Sequence, residues 1–152
     1  MSVCLAPYVY GRGGSGVARF LGIAALTGNV TYVEGGNNRT TVVHVDDAAR
    51  LFLLAAEKGR AGEIYNAGLA TNVTLLQLSQ AIAAAVSVPL RNISLEDAMT
   101  QLWPTVALFL AVDNRASGEK AKKELGWTSR GPGILEDISK GLYLEVAKAL
   151  QK

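Results

Sequence analysis

Short apolar or β-branched runs alternate with segments of helical periodicity along this chain of 152 residues. Residues 2–9 and 40–45 are runs of this kind beside turn residues, and each predicts a strand. Residues 16–26 and 74–86 carry apolar side chains at helical spacing, and each predicts a helix, the second with Thr74 as its cap. Because alternating strands and helices are typical of α/β proteins, we expect that fold class with some parallel strand pairing.

The second half of the chain predicts further helices. Ser94 can cap a helix over residues 95–102, and Pro104 kinks or restarts it. Residues 116–125 predict a charged surface helix, and residues 135–150 predict an amphipathic helix at the end of the chain. No repeat or low-complexity linker interrupts this pattern, so it indicates a single domain.

The composition is that of a folded protein rich in apolar residues. Hydrophobic residues make up 49% of the chain and charged residues 18%, which fits an extra buried face in a pocket or against a partner. The net charge of +2 does not favour nucleic acid, and the apolar runs are too short to span a bilayer. With a single cysteine and no signal-peptide pattern, we expect a cytoplasmic protein without nucleic-acid or membrane partners.

Three segments occur in a characteristic order: LAPYVYGRGGSG at residues 5–16, TVVHVDDAARLFLLAAEKGRAGEIYNAG at residues 41–68, and KAKKELGWTSRG at residues 120–131. Together they resemble the second half of the extended short-chain dehydrogenase/reductase family, the NAD(P)-dependent epimerase/dehydratase group. The resemblance implies a partial Rossmann-like fold containing the last strands of the sheet, followed by a helical substrate-binding subdomain. Residues 1–152 would form one domain that lacks the dinucleotide-binding half.

In that family the first half binds the dinucleotide and carries a catalytic Tyr-x-x-x-Lys pair, and neither feature occurs in this sequence. The resemblance therefore implies no cofactor, unless an N-terminal half supplies NAD(P). The GRGGSG motif at residues 11–16 comes after the wrong strand, and we interpret it as a flexible turn. The first strand would also lack its usual neighbour, so we expect a homodimer or a separately encoded dinucleotide-binding half to cover its edge.

The candidate catalytic residues are His44, Asp46 and Tyr10. His44 is the only histidine, and an imidazole can act as general acid or base near neutral pH. The alternative is a strand histidine that is hydrogen-bonded to the backbone. Asp46 would share a strand face with His44, whereas Asp47 is expected to cap the following helix.

The candidate substrate-binding residues are Tyr8, Arg12, Trp103 and Phe109. By the resemblance, Tyr8 lies on the turn that borders the substrate, where a phenol can donate to a carbonyl; the alternative is packing against the neighbouring helix. Arg12 can bind an anionic group, or it is simply solvated on the glycine-rich loop. Trp103 and Phe109, with Leu102 and Leu108, would form an apolar pocket lining or simply a core. No cluster of side chains has metal-ligand spacing, so we predict no metal.

Three functions are compatible with these observations. The first is an enzyme that performs non-redox acid–base chemistry (isomerisation, epimerisation, dehydration or cyclisation) on an apolar substrate containing a carbonyl group. The second is a fragment of an NAD(P)-dependent reductase or epimerase that needs its other half. The third is a non-catalytic binding dimer.

Overall fold

The computed structural model describes residues 1–151, and it confirms the α/β class. The strands are β1 (Ser2–Leu5), β2 (Tyr8–Tyr10), β3 (Val30–Val33), β4 (Arg39–His44), β5 (Ile64–Ala67), β6 (Ala70–Thr74) and β7 (Leu90–Ile93). The helices are α1 (Ser15–Thr27), α2 (Val45–Lys58), α3 (Leu75–Val86), α4 (Leu95–Gln101), α5 (Pro104–Ala111), α6 (Glu119–Leu125), α7 (Ile134–Lys140) and α8 (Leu142–Leu150).

The strands form three small sheets. β1 pairs with β5 and β3 pairs with β7, both in parallel. β4 is the centre of the third sheet, since it pairs in parallel with β2 and in antiparallel orientation with β6. The expected parallel pairing is therefore present in all three sheets.

Each sheet has its own apolar core. The β1–β5 pair packs under α2 and α6 around Leu51, Tyr65 and Trp127. The helices α1, α3, α7 and α8 pack together on the sheet of β2, β4 and β6, and the β3–β7 pair packs with α4 and α5. Residues of α4 and α5 and residues of α1 and α3 line one common space beside the β3–β7 pair.

Two predicted helix caps are confirmed. The Thr74 hydroxyl accepts a hydrogen bond from the Gln77 amide at 3.1 Å, and the Gln77 side chain accepts one from the Thr74 amide at 3.0 Å. The Ser94 hydroxyl accepts one from the Asp97 amide at 3.0 Å. Because each cap satisfies amides that a helix start leaves unpaired, it fixes where α3 and α4 begin.

Two predicted elements are divided in the structure. The strand predicted over residues 2–9 is two strands in different sheets, because the chain changes sheets at Ala6 and Pro7, and proline has no amide to donate. The helix predicted over residues 135–150 is likewise two helices, which meet at Gly141. A Cβ at Gly141 would collide with the Asp137 carboxylate, so this close junction requires glycine.

Candidate functional site

A cavity of about 290 Å³ lies between α1, α3, the β3–β7 pair, α4 and α5. Its wall is mainly apolar, and α3 contributes to it because its apolar side chains recur on one helix face. Prominent contributors are Val17, Phe20, Leu78, Ile82, Leu102 and Leu110. Since small-molecule sites occupy roughly 300–1,000 Å³, this cavity suits a small, largely apolar ligand.

The hydroxyl groups of two largely buried residues interrupt the apolar wall. Tyr8 and Ser79 are each only 6% exposed and both line the cavity. Among residues 1–151, no hydrogen bond involves either hydroxyl. Both hydroxyl oxygens remain accessible from the cavity. Burial raises the pKa of Tyr8, so its phenol keeps its proton at neutral pH and can donate a hydrogen bond.

The ring of Tyr8 is held in place by two aromatic neighbours. Its centroid lies 5.1 Å from that of Phe109 and 6.3 Å from that of Phe20, in tilted arrangements. Such aromatic contacts fix the orientation of a ring. The structure therefore brings together two of the predicted substrate residues, with Tyr8 in the wall and Phe109 behind it.

Trp103 lies elsewhere, and this corrects the predicted apolar lining. It is 81% exposed between α4 and α5, whereas its neighbour Leu102 contributes to the wall. Leu108 is 54% exposed and Phe109 is 36% exposed, and neither lines the cavity. Periodicity could not reveal this, because α5 is apolar on every side and offers no preferred face.

Ser79 and Arg91 also line the cavity, although neither was predicted from the sequence as a binding residue. Ser79 had a recognisable signal: it follows Leu75 by four residues and therefore lies on the apolar face of α3. A polar residue on a core-facing stripe is a candidate for contact with a ligand. Arg91 had no such signal, because an exposed arginine on a short strand is common.

His44 and Tyr10 are neighbours on paired strands. They are register partners between β4 and β2, and their rings meet edge to face with centroids 5.3 Å apart. His44 Nδ1 accepts a hydrogen bond from the Asp46 amide at 3.2 Å, which makes His44 the N-cap of α2. The expectation that Asp47 caps this helix is wrong.

The imidazole of His44 is enclosed by two glycines. A Cβ at Gly11 would lie 2.5 Å from His44 Nε2, and a Cβ at Gly131 would lie 2.5 Å from His44 Cγ. His44 is consequently only 7% exposed. Neither His44 nor Tyr10 lines the cavity.

Tyr10, Arg12 and Asp46 have protein partners. The Tyr10 hydroxyl donates to the Pro132 carbonyl at 2.6 Å. Burial, reinforced by the negative charges of nearby carboxylates, raises the pKa of Tyr10 well above its ordinary value. Arg12 Nε donates to Asp46 Oδ1 at 2.8 Å, and both side chains are at least half exposed. Neither Arg12 nor Asp46 contributes to the cavity wall.

Asp47 has a different role from the predicted one. Its buried carboxylate accepts hydrogen bonds from the backbone amides of Arg130 at 3.0 Å and Gly131 at 3.1 Å, and from Arg50 at 2.8 Å. Its backbone carbonyl accepts one from the Trp127 indole at 2.7 Å. Asp47 therefore ties the segment after α6 to the start of α2.

The glycine-rich turn is filled by a side chain. The Tyr143 hydroxyl accepts a hydrogen bond from the Gly11 amide at 2.7 Å and donates one to the Gly14 carbonyl at 2.7 Å. A Cβ at Gly13 would also contact Val146 at 3.3 Å. Because Tyr143 occupies the turn, residues 11–16 do not fit the pyrophosphate of a dinucleotide. We therefore attribute no redox step to the turn.

Two features are absent from residues 1–151. No group of three or more histidine, cysteine, aspartate or glutamate side chains in this range could hold a metal ion. None of the helices described there has the length and apolar character needed to cross a membrane.

Residues 4–68 match the model of the NAD dependent epimerase/dehydratase family. The first part of the chain is therefore similar to that family. The resemblance inferred from the sequence is thereby confirmed. The matched residues run from β1 to the end of β5, so they include His44, the N-cap of α2, and the buried Asp47.

Two curated yeast proteins are similar to this chain. It is 33% identical over 131 residues to the uncharacterised protein YLL056C of Saccharomyces cerevisiae, a match covering 86% of this chain and 44% of that protein. It is 31% identical over 140 residues to the uncharacterised protein C2A9.02 of Schizosaccharomyces pombe, covering 91% and 47%. The chain thus spans about half the length of these relatives.

Solved structures share the fold. DesIV, a dTDP-glucose 4,6-dehydratase from Streptomyces venezuelae solved with NAD and TYD bound, gives a TM-score of 0.67 at 20% identity, over 93% of this chain and 42% of DesIV. TunA, an NAD dependent NDP-hexosamine 5,6-dehydratase, gives 0.68 at 17% identity, over 99% and 46%. At these identities the likeness concerns the fold alone.

Proposed function

We propose that the chain binds a small apolar molecule containing a carbonyl group in the cavity, as the substrate-binding part of an epimerase/dehydratase-family enzyme. The observation that carries the proposal is an apolar cavity of about 290 Å³ whose wall contains the hydroxyls of Tyr8 and Ser79, which have no hydrogen-bond partner within residues 1–151. Because both hydroxyls are open to the cavity, a ligand can pair with them while its apolar part packs on the wall.

The two hydroxyls suit a carbonyl oxygen. Tyr8 is protonated at neutral pH and offers one O–H donor, while Ser79 can donate or accept. Apolar surface contributes roughly 25 cal/mol per Å² when it leaves water, so the surrounding wall favours a hydrocarbon body. The proposed ligand therefore combines a hydrocarbon body with a carbonyl oxygen near Tyr8.

The chemistry performed on that ligand is a separate question. Acid–base catalysis by His44, Asp46 and Tyr10 stays a prediction, and their protein partners favour a structural role in the part of the chain described. The homodimer and the separately encoded dinucleotide-binding half also stay proposals. Hydride chemistry would need such a half, because the turn at residues 11–16 is occupied by Tyr143.

The test uses 2-octanone, a neutral ketone, as the probe. Isothermal titration should give saturable binding to the wild-type chain, and Tyr8→Phe should weaken it roughly tenfold by removing one hydrogen bond in an apolar site. Tyr32→Phe is the matched control, because Tyr32 lies on β3 outside the cavity wall, and it should bind like wild type. Absence of saturable binding to the wild type contradicts the proposal.

A further inference from the structure

We infer that the ligand of this cavity carries an acidic group that binds at Arg91 while its apolar body fills the cavity. This inference rests on the proposed function and names the class of ligand more narrowly, as a small apolar acid. It comes from Arg91, the one basic side chain among residues 1–151 that lines the cavity wall.

Arg91 is held at the exposed edge of the cavity by a neighbour. Its Nη2 donates to Gln101 Oε1 at 2.9 Å, and both residues line the cavity. This bond uses the acceptor of the Gln101 amide, so its N–H₂ group and the remaining N–H groups of Arg91 are available to another acceptor. Within residues 1–151, none of these remaining side-chain N–H groups donates a hydrogen bond to the protein.

The positive charge of Arg91 is not balanced by the protein. Within residues 1–151, no carboxylate forms an ion pair with it. Several other arginines do have carboxylate partners, namely Arg12, Arg39, Arg50 and Arg60. Among the arginines described, only Arg91 contributes to the cavity wall.

A carboxylate matches this arrangement better than a neutral oxygen does. Guanidinium and carboxylate form charge-assisted hydrogen bonds, often two in parallel, and these are about twice as strong as neutral ones. Because Arg91 is exposed, water screens part of this interaction. Modest discrimination between an acid and a neutral analogue of the same chain length is therefore the expected property.

The experiment compares octanoate with 2-octanone by isothermal titration at neutral pH, where a carboxylic acid is ionised. Wild type should bind octanoate roughly fivefold more tightly, the upper range expected for an exposed ion pair. Arg91→Gln should abolish this difference, because it removes the positive charge. Thermal melts establish that each variant is folded.

Arg19→Gln is the matched control, because Arg19 is exposed on α1 and does not line the cavity. It should keep the wild-type preference for octanoate. Binding of 2-octanone with no preference for octanoate, or a preference that survives in Arg91→Gln, overturns the acidic-ligand inference alone. If neither probe binds wild type, the proposed function and this inference fail together.

Discussion

The carboxylate of Asp47 accepts a hydrogen bond from the backbone amide of Arg130, 83 residues later in the chain, at 3.0 Å. The same carboxylate accepts from the next amide, that of Gly131, at 3.1 Å. Buried amides that lose their acceptor cost free energy, so this carboxylate determines where the segment before α7 lies. It also positions Gly131 against His44.

Asp47→Ala should lower the free energy of unfolding by about 3 kcal/mol, because it leaves several buried donors unpaired. Urea denaturation measures this loss. Asp46→Ala is the matched control: Asp46 is half exposed, and its ion pair with Arg12 should contribute less than about 1 kcal/mol. Equal losses in the two variants would show that the buried bonds of Asp47 do not stabilise the fold as argued.

The contact between Gly131 and His44 gives a second prediction. Gly131→Ala should destabilise the protein by about 2 kcal/mol, because its Cβ would collide with the imidazole. Adding His44→Ala removes the colliding ring, so the glycine substitution should cost at least about 1 kcal/mol less in that background.

A double-mutant cycle measured by chemical denaturation gives this coupling energy. Additive effects of Gly131→Ala and His44→Ala would mean that the two residues do not contact each other as described. Ser129→Ala serves as a control on the same segment, because the Ser129 hydroxyl bonds Asp47 and not His44. Its effect should be the same with and without the His44 substitution.

Local patterns in the sequence predicted most of the elements but not their partners. Apolar spacing and the caps at Thr74 and Ser94 are local properties, and the structure has the corresponding helices. The first predicted strand divides at Pro7 and the last predicted helix at Gly141, which are local breaks, but the sheet that each half of the strand joins depends on contacts with distant segments. The spacing of apolar residues in the sequence does not reveal such contacts.

The candidate site shows the same limit. Tyr8 and Tyr10 flank Val9, and the sequence alone does not distinguish them. Within residues 1–151, the Tyr10 hydroxyl donates a hydrogen bond to the Pro132 carbonyl, 122 residues away, whereas the Tyr8 hydroxyl has no such partner. Tyr8 lines the cavity instead. A single sequence cannot distinguish these two environments, because the distinction depends on which distant segment packs against each ring.

The raised pKa values of Tyr8 and Tyr10 predict a loss of stability at alkaline pH. An unfolded tyrosine has a pKa of about 10, and burial raises both folded values above it. Above pH ~10 the unfolded chain therefore binds fewer protons than the folded chain, so stability falls as pH rises. Below that pH the contribution of these groups is fully present.

The expected slope is up to about 1.4 kcal/mol per pH unit for each of the two tyrosines. Urea denaturation of wild type and of the double variant Tyr8→Phe/Tyr10→Phe between pH 9 and about 11 measures it, since other groups titrate equally in both proteins. The double variant should lose less stability over this interval. Identical slopes would contradict the burial of the two phenols.

Tyr143→Phe should loosen the glycine-rich turn. The Tyr143 hydroxyl is the acceptor for the Gly11 amide and the donor to the Gly14 carbonyl, so phenylalanine leaves both groups unpaired. We expect a loss of about 1–2 kcal/mol in stability and faster hydrogen exchange at the Gly11 amide. Amide exchange followed by NMR measures the local effect, with Tyr32→Phe as the matched control. Unchanged protection of Gly11 in Tyr143→Phe would mean that the turn keeps its shape without this hydroxyl.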